Sequence, residues 1–314
     1  MNKVLSFVKS RRIFMITLLL FVAMSLVNRS FMTSNNLYAI LISLPAYGMC
    51  ALGLCVSLIS GELNISMGSI MAFTGVAFAL MTKNGMPFWP AALLVLLMCI
   101  AWGFVSGFFV AVMKIDSFVV TLSMMTLIRG VALSLSNQQP VIIHDEILRA
   151  MGTARFGPIP LMALIFFAFV LLTEYIFRHT VFGRSLYAIG ANQDIARSVG
   201  IKINFHKIMA FVIFAFYSGV GGLFLAARMN TGSPVAGSDA PLSVIPMVIL
   251  GGTALSGGRG GALKTLLGVL LLQTVFNCMS LYSITANMQS LVKGAIVLGI
   301  VVWDKYSANK DKKV

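Results

Sequence analysis

Ten apolar runs separated by short polar breaks constrain this chain more than any other feature of its sequence. They are Ile13–Val27, Leu37–Ser60, Ile70–Thr82, Trp89–Met113, Ser117–Ser136, Leu161–Phe177, Ile208–Ala227, Pro241–Ser256, Leu263–Leu281 and Leu291–Trp303. A bilayer core offers no partner to backbone N–H and C=O groups, so a run that crosses it must satisfy them internally, as a helix does. Only 10% of the residues are charged, well below the roughly 25% of soluble domains. The expected fold is therefore an all-α polytopic membrane protein of about ten transmembrane helices. It forms one transmembrane domain over residues 1–314, with no separate soluble domain. Several runs fall short of the ~20 residues that cross alone. Short runs broken by Gly or Pro mark helices that end within the protein.

Charge sets the orientation. With the N-terminus in the cytoplasm and ten alternating spans, that side receives Lys3, Lys9, Arg11, Arg12, Lys114, Arg178, Arg184, Arg197, Lys202, Lys207, Arg259, Lys264, Lys305, Lys310, Lys312 and Lys313. The outer side receives only Arg29, Lys83, Arg149, Arg155 and Arg228. This asymmetry follows the positive-inside rule and makes residues 1–12, 178–207 and 304–314 cytoplasmic. It also accounts for the net charge of +14 without nucleic acid, whose binding would need a basic face.

Lys3, Lys9, Arg11 and Arg12 ahead of the first run imitate a secretory signal. The sequence after Val22-Ala23-Met24-Ser25 makes a poor cleavage site, which favours an uncleaved helix. Cys50, Cys55, Cys99 and Cys278 lie inside apolar runs at spacings that match no zinc or redox signature. His144, His179 and His206 fall in separate loops, so neither a metal site nor a cofactor is expected. The outer loop at residues 138–160 has two readings: a short amphipathic helix across the outer mouth, or a solvated loop.

One organised polar interval stands out, from Arg178 to Lys207. Its small residues Ala188, Gly190, Ala191, Ala196 and Gly200 permit close approach by another surface. Arg184, Asn192, Asp194 and Arg197 supply polar contacts. Together with Gly183 they suggest a docking element for a cytoplasmic partner.

The second informative segment, Gly251–Gly261, holds too much glycine for a comfortable helix. Irregular backbone at this depth must be buried in protein or line an aqueous path. It reads either as a hinge or pathway element or as a tight helix crossing. Lys264-Thr265 after the glycines tempts a phosphate-loop assignment, but Leu263 stands where that loop needs Gly. The triplets Gly61, Ser66, Gly68 and Gly251, Ser256, Gly258 share a spacing, a faint hint of duplication.

Glu62, Arg129, Glu174 and Lys293 lie in or against apolar runs, where charges face the bundle interior or snorkel. Arg129 and Lys293 are expected inside the bundle. The absence of a repeated acid pair argues against an ion relay, and no catalytic triad supports an enzyme.

Four ordered blocks resemble one family. They are Ser60-Gly61-Glu62-Leu63-Asn64-Ile65-Ser66-Met67-Gly68-Ser69, then Lys114-Ile115-Asp116-Ser117-Phe118-Val119-Val120-Thr121-Leu122 with Arg129-Gly130. The loop from Phe182-Gly183-Arg184 through Gly200-Ile201 follows, and then the segment from Val248 to Gly260. Together they are similar to the ribose/xylose/arabinose-type permease subunits of bacterial ATP-binding-cassette importers. The resemblance implies a multi-pass subunit of the bacterial inner membrane with no ATPase activity of its own. An ATP-binding subunit would dock on Gly183–Gly200, and a periplasmic solute-binding protein would deliver a sugar-like solute. A second permease subunit, identical or paralogous, would complete the path.

Glu62, Asn64, Ser66, Thr253, Ser256, Gly257 and Gly258 are then candidates for the translocation path or its hinge. The chain departs from the family pattern at Glu62 (usually Gly), Asn64 (usually Asp) and Asp116-Ser117 (usually Pro-Pro). Asn64 keeps the hydrogen bonds of the family's Asp but loses the charge. It reads equally as a solute contact and as a cap for the helix beginning near Ser66. An ion-coupled secondary transporter is the alternative function.

Overall fold

The computed structural model describes Met15, Leu18, Leu19, residues 21–157 and residues 159–311. The expected cytoplasmic segment 1–12 and the opening of the span 13–27 lie outside that set, and residues 21–27 are helical. After a short 3-10 turn at Arg29–Met32, twelve helices follow: α1 Ser34–Ile59, α2 Met67–Lys83, α3 Phe88–Ala111, α4 Ser117–Leu135, α5 Glu146–Thr153, α6 Leu161–His179, α7 Val181–Ala191, α8 Gln193–Ser198, α9 Ile203–Met229, α10 Ala240–Leu250, α11 Ala262–Leu281 and α12 Ala286–Asp311. Of these, α1, α3, α4, α6, α9 and α11 are long and apolar enough to cross a membrane, while α2 and α10 are shorter apolar helices. The all-α polytopic expectation thus holds in this coarser form.

Boundaries differ from expectation mainly at α10, which ends at Leu250 where the hydropathy ran on to Ser256. Gly251 caps it and Gly252 turns left-handed with φ of +87°. Apolar character persists past this point through Leu255, but the glycines remove helix propensity. At the other extreme α12 extends to Asp311, so the expected tail 304–314 is helical over most of its length.

Helices α1 and α9 form the enclosed centre. Helix α9 packs most extensively on α3, α1 and α2. Membrane helices gain no hydrophobic drive from lipid, so close approach through small residues holds them together. The α3–α9 seam follows that rule. A Cβ on Gly103 would lie 2.7 Å from the Phe211 carbonyl oxygen, and one on Gly107 would lie 2.9 Å from the Ile208 Cα. Facing outward, α3 and α4 expose Trp89, Phe104, Phe118 and Leu122, as lipid contact or a partner subunit requires.

At the end of the bundle remote from α7 and α8, a two-residue ribbon pairs Val141–Ile142 antiparallel with Thr231–Gly232. The expected loop 138–160 resolves there as the amphipathic helix α5. Asp145 caps it by accepting from the Leu148 N–H at 2.8 Å, and its Leu148 is buried. Gly152 lies against the Ala227 carbonyl oxygen, where a Cβ would come within 2.5 Å.

Candidate functional site

Helix α1 ends where Gly61 takes φ of +86°, a left-handed conformation that glycine adopts without strain. Its N–H donates to the Leu58 carbonyl at 2.9 Å, and Ser57 Oγ donates to the Glu62 carbonyl at 2.8 Å. The chain then runs without regular structure to Ser66 before α2 begins. Asn64 is buried, and its Oδ1 accepts from the Ser66 N–H at 3.0 Å and from Ser66 Oγ at 2.7 Å. This is a local turn just ahead of α2, whose N-cap residue Ser66 makes no side-chain cap bond of its own. The path candidates Asn64 and Ser66 therefore face one another.

The glycine-rich segment at residues 251–261 lies against that turn. The Gly258 N–H donates to the Ile59 carbonyl at 3.0 Å. A Cβ on Gly257 would lie 2.8 Å from the Gly61 Cα. Gly61 of the first triplet thus abuts Gly257, the residue before the second triplet's Gly258. Thr253 is buried with its Oγ1 3.5 Å from Cys55 Sγ, whereas Ser256 is exposed at the tip. The segment is irregular and closely packed against the end of α1 and α7. A bulky residue at Gly257 or Gly258 would strike Gly61 or Ala191 backbone.

Helix α7 closes the seam. Thr180 caps it, its Oγ1 accepting from the Gly183 N–H at 3.1 Å. Gly183 lies against the end of α6, where a Cβ would sit 2.6 Å from the Phe177 Cα. A Cβ at Gly190 would overlap the Ile59 carbonyl oxygen and the Gly258 nitrogen. Tyr187 donates its hydroxyl to the Gly260 carbonyl at 3.1 Å, and burial raises its pKa, which keeps that donor proton in place. Asn192 breaks the interval into two helices, its Oδ1 accepting from Asp194 N–H at 2.9 Å and Ile195 N–H at 3.1 Å.

Part of the small-residue set faces the chain's own bundle, while Ala191 and Gly200 are exposed. Gly183 and Gly190 seat the helix on its own bundle, and Ala196 is buried with Ile189 and Ile203. Asn192 is occupied as a cap, although its residue remains exposed. Exposed instead are Arg184, Asp194, Arg197 and Gly200 from the expected set. They are joined by Val181, Ile195, Val199 and Phe205, each more than half exposed. Sequence reading missed these apolar residues because they sat inside a polar interval.

The ionisable groups inside the bundle all have partners. Glu62 pairs with Lys207 at 2.5 Å, and both side chains are 10% exposed. Glu174 pairs with Arg178 at 2.5 Å and accepts from the Leu263 N–H at 3.2 Å, at the start of α11. Arg129 donates to the carbonyls of Pro234 at 2.6 Å and Ala236 at 3.0 Å. Lys293 pairs with Asp239 at 2.6 Å, and Asp239 also accepts from the Tyr47 hydroxyl at 2.8 Å. The sequence reading assigned Asp239 no role, because it precedes the apolar run rather than interrupting it.

Arg129 explains why α10 is short. Between Gly232 and Asp239 the chain has no regular structure, and carbonyls freed from helix bonding need donors, which the guanidinium supplies. This segment runs along α2: Gly232 lies against the Gly75 carbonyl and Gly237 against Gly68. Two irregular segments, 61–66 and 233–239, therefore lead into α2 and α10, and the second rests at Gly237 on Gly68 in the first turn of α2.

The model of the family described as "Branched-chain amino acid transport system / permease component" matches residues 36–301. Among curated proteins, the L-arabinose transport system permease protein AraH of Escherichia coli K12 is 32% identical over 94% of this chain and 90% of its own length. The ribose import permease protein RbsC of Haemophilus influenzae is 29% identical over 97% and 95%. The probable ABC transporter permease protein YphD of Escherichia coli K12 is 34% identical over 90% and 86%. No solved structure matches the chain.

Proposed function

This chain belongs to the permease-component family that its residues 36–301 match, and from that premise we propose that it is the membrane-spanning subunit of an ATP-binding-cassette importer for a monosaccharide. It is a multi-pass protein of the bacterial inner membrane. The observation that carries the reading is the seam of Gly61, Gly190 and Gly257. There a polar helix pair sits directly on two irregular loops of the bundle, so force applied to α7 and α8 reaches the membrane interior.

The exposed face of α7 and α8 supports docking of an ATP-binding subunit. Its apolar Val181, Ile195 and Val199 would supply the contact area, and Arg184 and Arg197 would pair with acids. The irregular segments leading into α2 and α10 resemble the broken helices that border transporter sites. Asn64, Ser66 and Asp239 supply hydroxyl-binding chemistry beside them. A solute-binding protein on the opposite end and a second permease subunit against the outward face of α3 and α4 complete the assembly.

Ion coupling is disfavoured because the acids against the bundle are each paired with a basic side chain. Glu62, Glu174 and Asp239 each hold a cation. Proteoliposomes carrying the chain with its ATP-binding and solute-binding subunits test the reading. Uptake of labelled L-arabinose or D-ribose should require ATP and persist with an uncoupler. Uptake abolished by the uncoupler at constant ATP would sink it.

A further inference from the structure

Resting on the importer reading, we propose that Glu62 and Lys207 form a positioning latch that carries movement of α7 and α8 to the segment ahead of α2. Stability alone is a weak reason for such a pair, because buried ion pairs are commonly replaceable by apolar residues without loss of fold. Removing one partner is different, since it strands a charge away from water. What the pair adds is a fixed direction between two pieces of chain.

Its placement defines those pieces. Lys207 is the fifth residue of α9, nine residues after the end of α8 at Ser198. Glu62 follows Gly61, whose added Cβ would stand 3.8 Å from the Gly190 Cα of α7. The docking interval is thus fastened at both ends to one turn of the chain: at α7 by glycine contact, and at α9 by charge. That turn leads through the Asn64–Ser66 hydrogen bonds into α2, whose Gly68 bears on Gly237. Gly183, Gly190 and Tyr187 seat α7 itself; the ion pair is what ties the start of α9 directly to the side chain of Glu62. Glu62 also stands where the resembling motif has glycine, so the latch is a feature of this chain rather than of the shared pattern.

The test uses the purified complex of the full chain with its ATP-binding subunit and needs no knowledge of the solute. A Leu63→Cys reporter is labelled with a maleimide, with and without ATP plus vanadate, against a chain lacking the reporter. Three forms are compared: the wild-type pair, the neutral pair E62M/K207M, and the swap E62K/K207E. The expected result is a labelling rate that changes at least fivefold with nucleotide in the wild type. In the neutral pair the change falls below about 1.5-fold with the ATP-binding subunit still bound, and the swap restores at least half of it. A merely structural pair would alter folded yield but leave the nucleotide response per complex intact. A wild-type response in the neutral pair therefore overturns the latch, as does a wild-type rate indifferent to nucleotide. If no ATP-binding subunit co-purifies with the wild-type chain, the importer reading itself fails and the latch falls with it.

Discussion

At the scale of single residues, the same residue type serves opposite ends according to what lies beside it. Gly190 reads in sequence as room left for a partner, but the room is filled by the Ile59 carbonyl. Gly190→Trp is therefore expected to lose folded protein altogether. Ile195→Asp should keep folded yield and lose the ATP-binding subunit, because Ile195 is exposed at the surface of α8. Size-exclusion profiles and co-purification separate these outcomes, and well-folded Gly190→Trp would refute the packing argument. Asn64 offers a finer contrast. Asn64→Ala removes the acceptor for Ser66 and leaves that buried N–H unpaired, costing about 1–3 kcal/mol. Asn64→Asp keeps the acceptor and should hold its thermal midpoint better. Equal midpoints for the two variants would remove the turn-holding role.

At the scale of elements, the last helix is tied to the bundle by a pair that a variant can probe. Helix α12 packs mainly on α10, and the Lys293–Asp239 pair lies between them with Asp239 37% exposed. Breaking a fully buried pair costs ~3–5 kcal/mol. Partial exposure lowers the expectation to roughly 1–3 kcal/mol for Lys293→Met or Asp239→Asn alone. The double variant should recover much of that loss. Limited proteolysis of α12 reads the effect, and additive damage in the double would contradict the pairing.

Most helix spans were legible in the sequence because lipid imposes a long apolar run on each. The helical break at 251–261 was legible from glycine alone. The partners of the charges were not. Lys207 and Glu62 lie far apart in the chain, and Asp239 carries no local signal that Tyr47 and Lys293 will reach it. Nor could spacing reveal which face of α7 turns inward, since small residues suit internal and external contacts equally.

At the scale of the whole molecule, the bundle is built around α1 and α9, with the lead-in to α10 resting on the first turn of α2. The seam at Gly61, Gly190 and Gly257 lies at one end, and the ribbon and α5 lie at the other. A change at the seam can reach the meeting point of α2 and α10 without unwinding a full-length helix. The length of α10 has a further consequence, for how the chain is made. Its eleven residues span about 16 Å, roughly half of the ~30 Å hydrocarbon layer. Synthesised alone, α10 would be a poor stop for the insertion machinery, and its irregular lead-in would leave the Pro234 and Ala236 carbonyls without the Arg129 donor. Arg129, made earlier in α4, must already be waiting to receive Pro234 and Ala236. The order of synthesis therefore matters to this fold: the half-length helix settles partly against α1 and α2, made before it, and partly against α11 and α12, made after it.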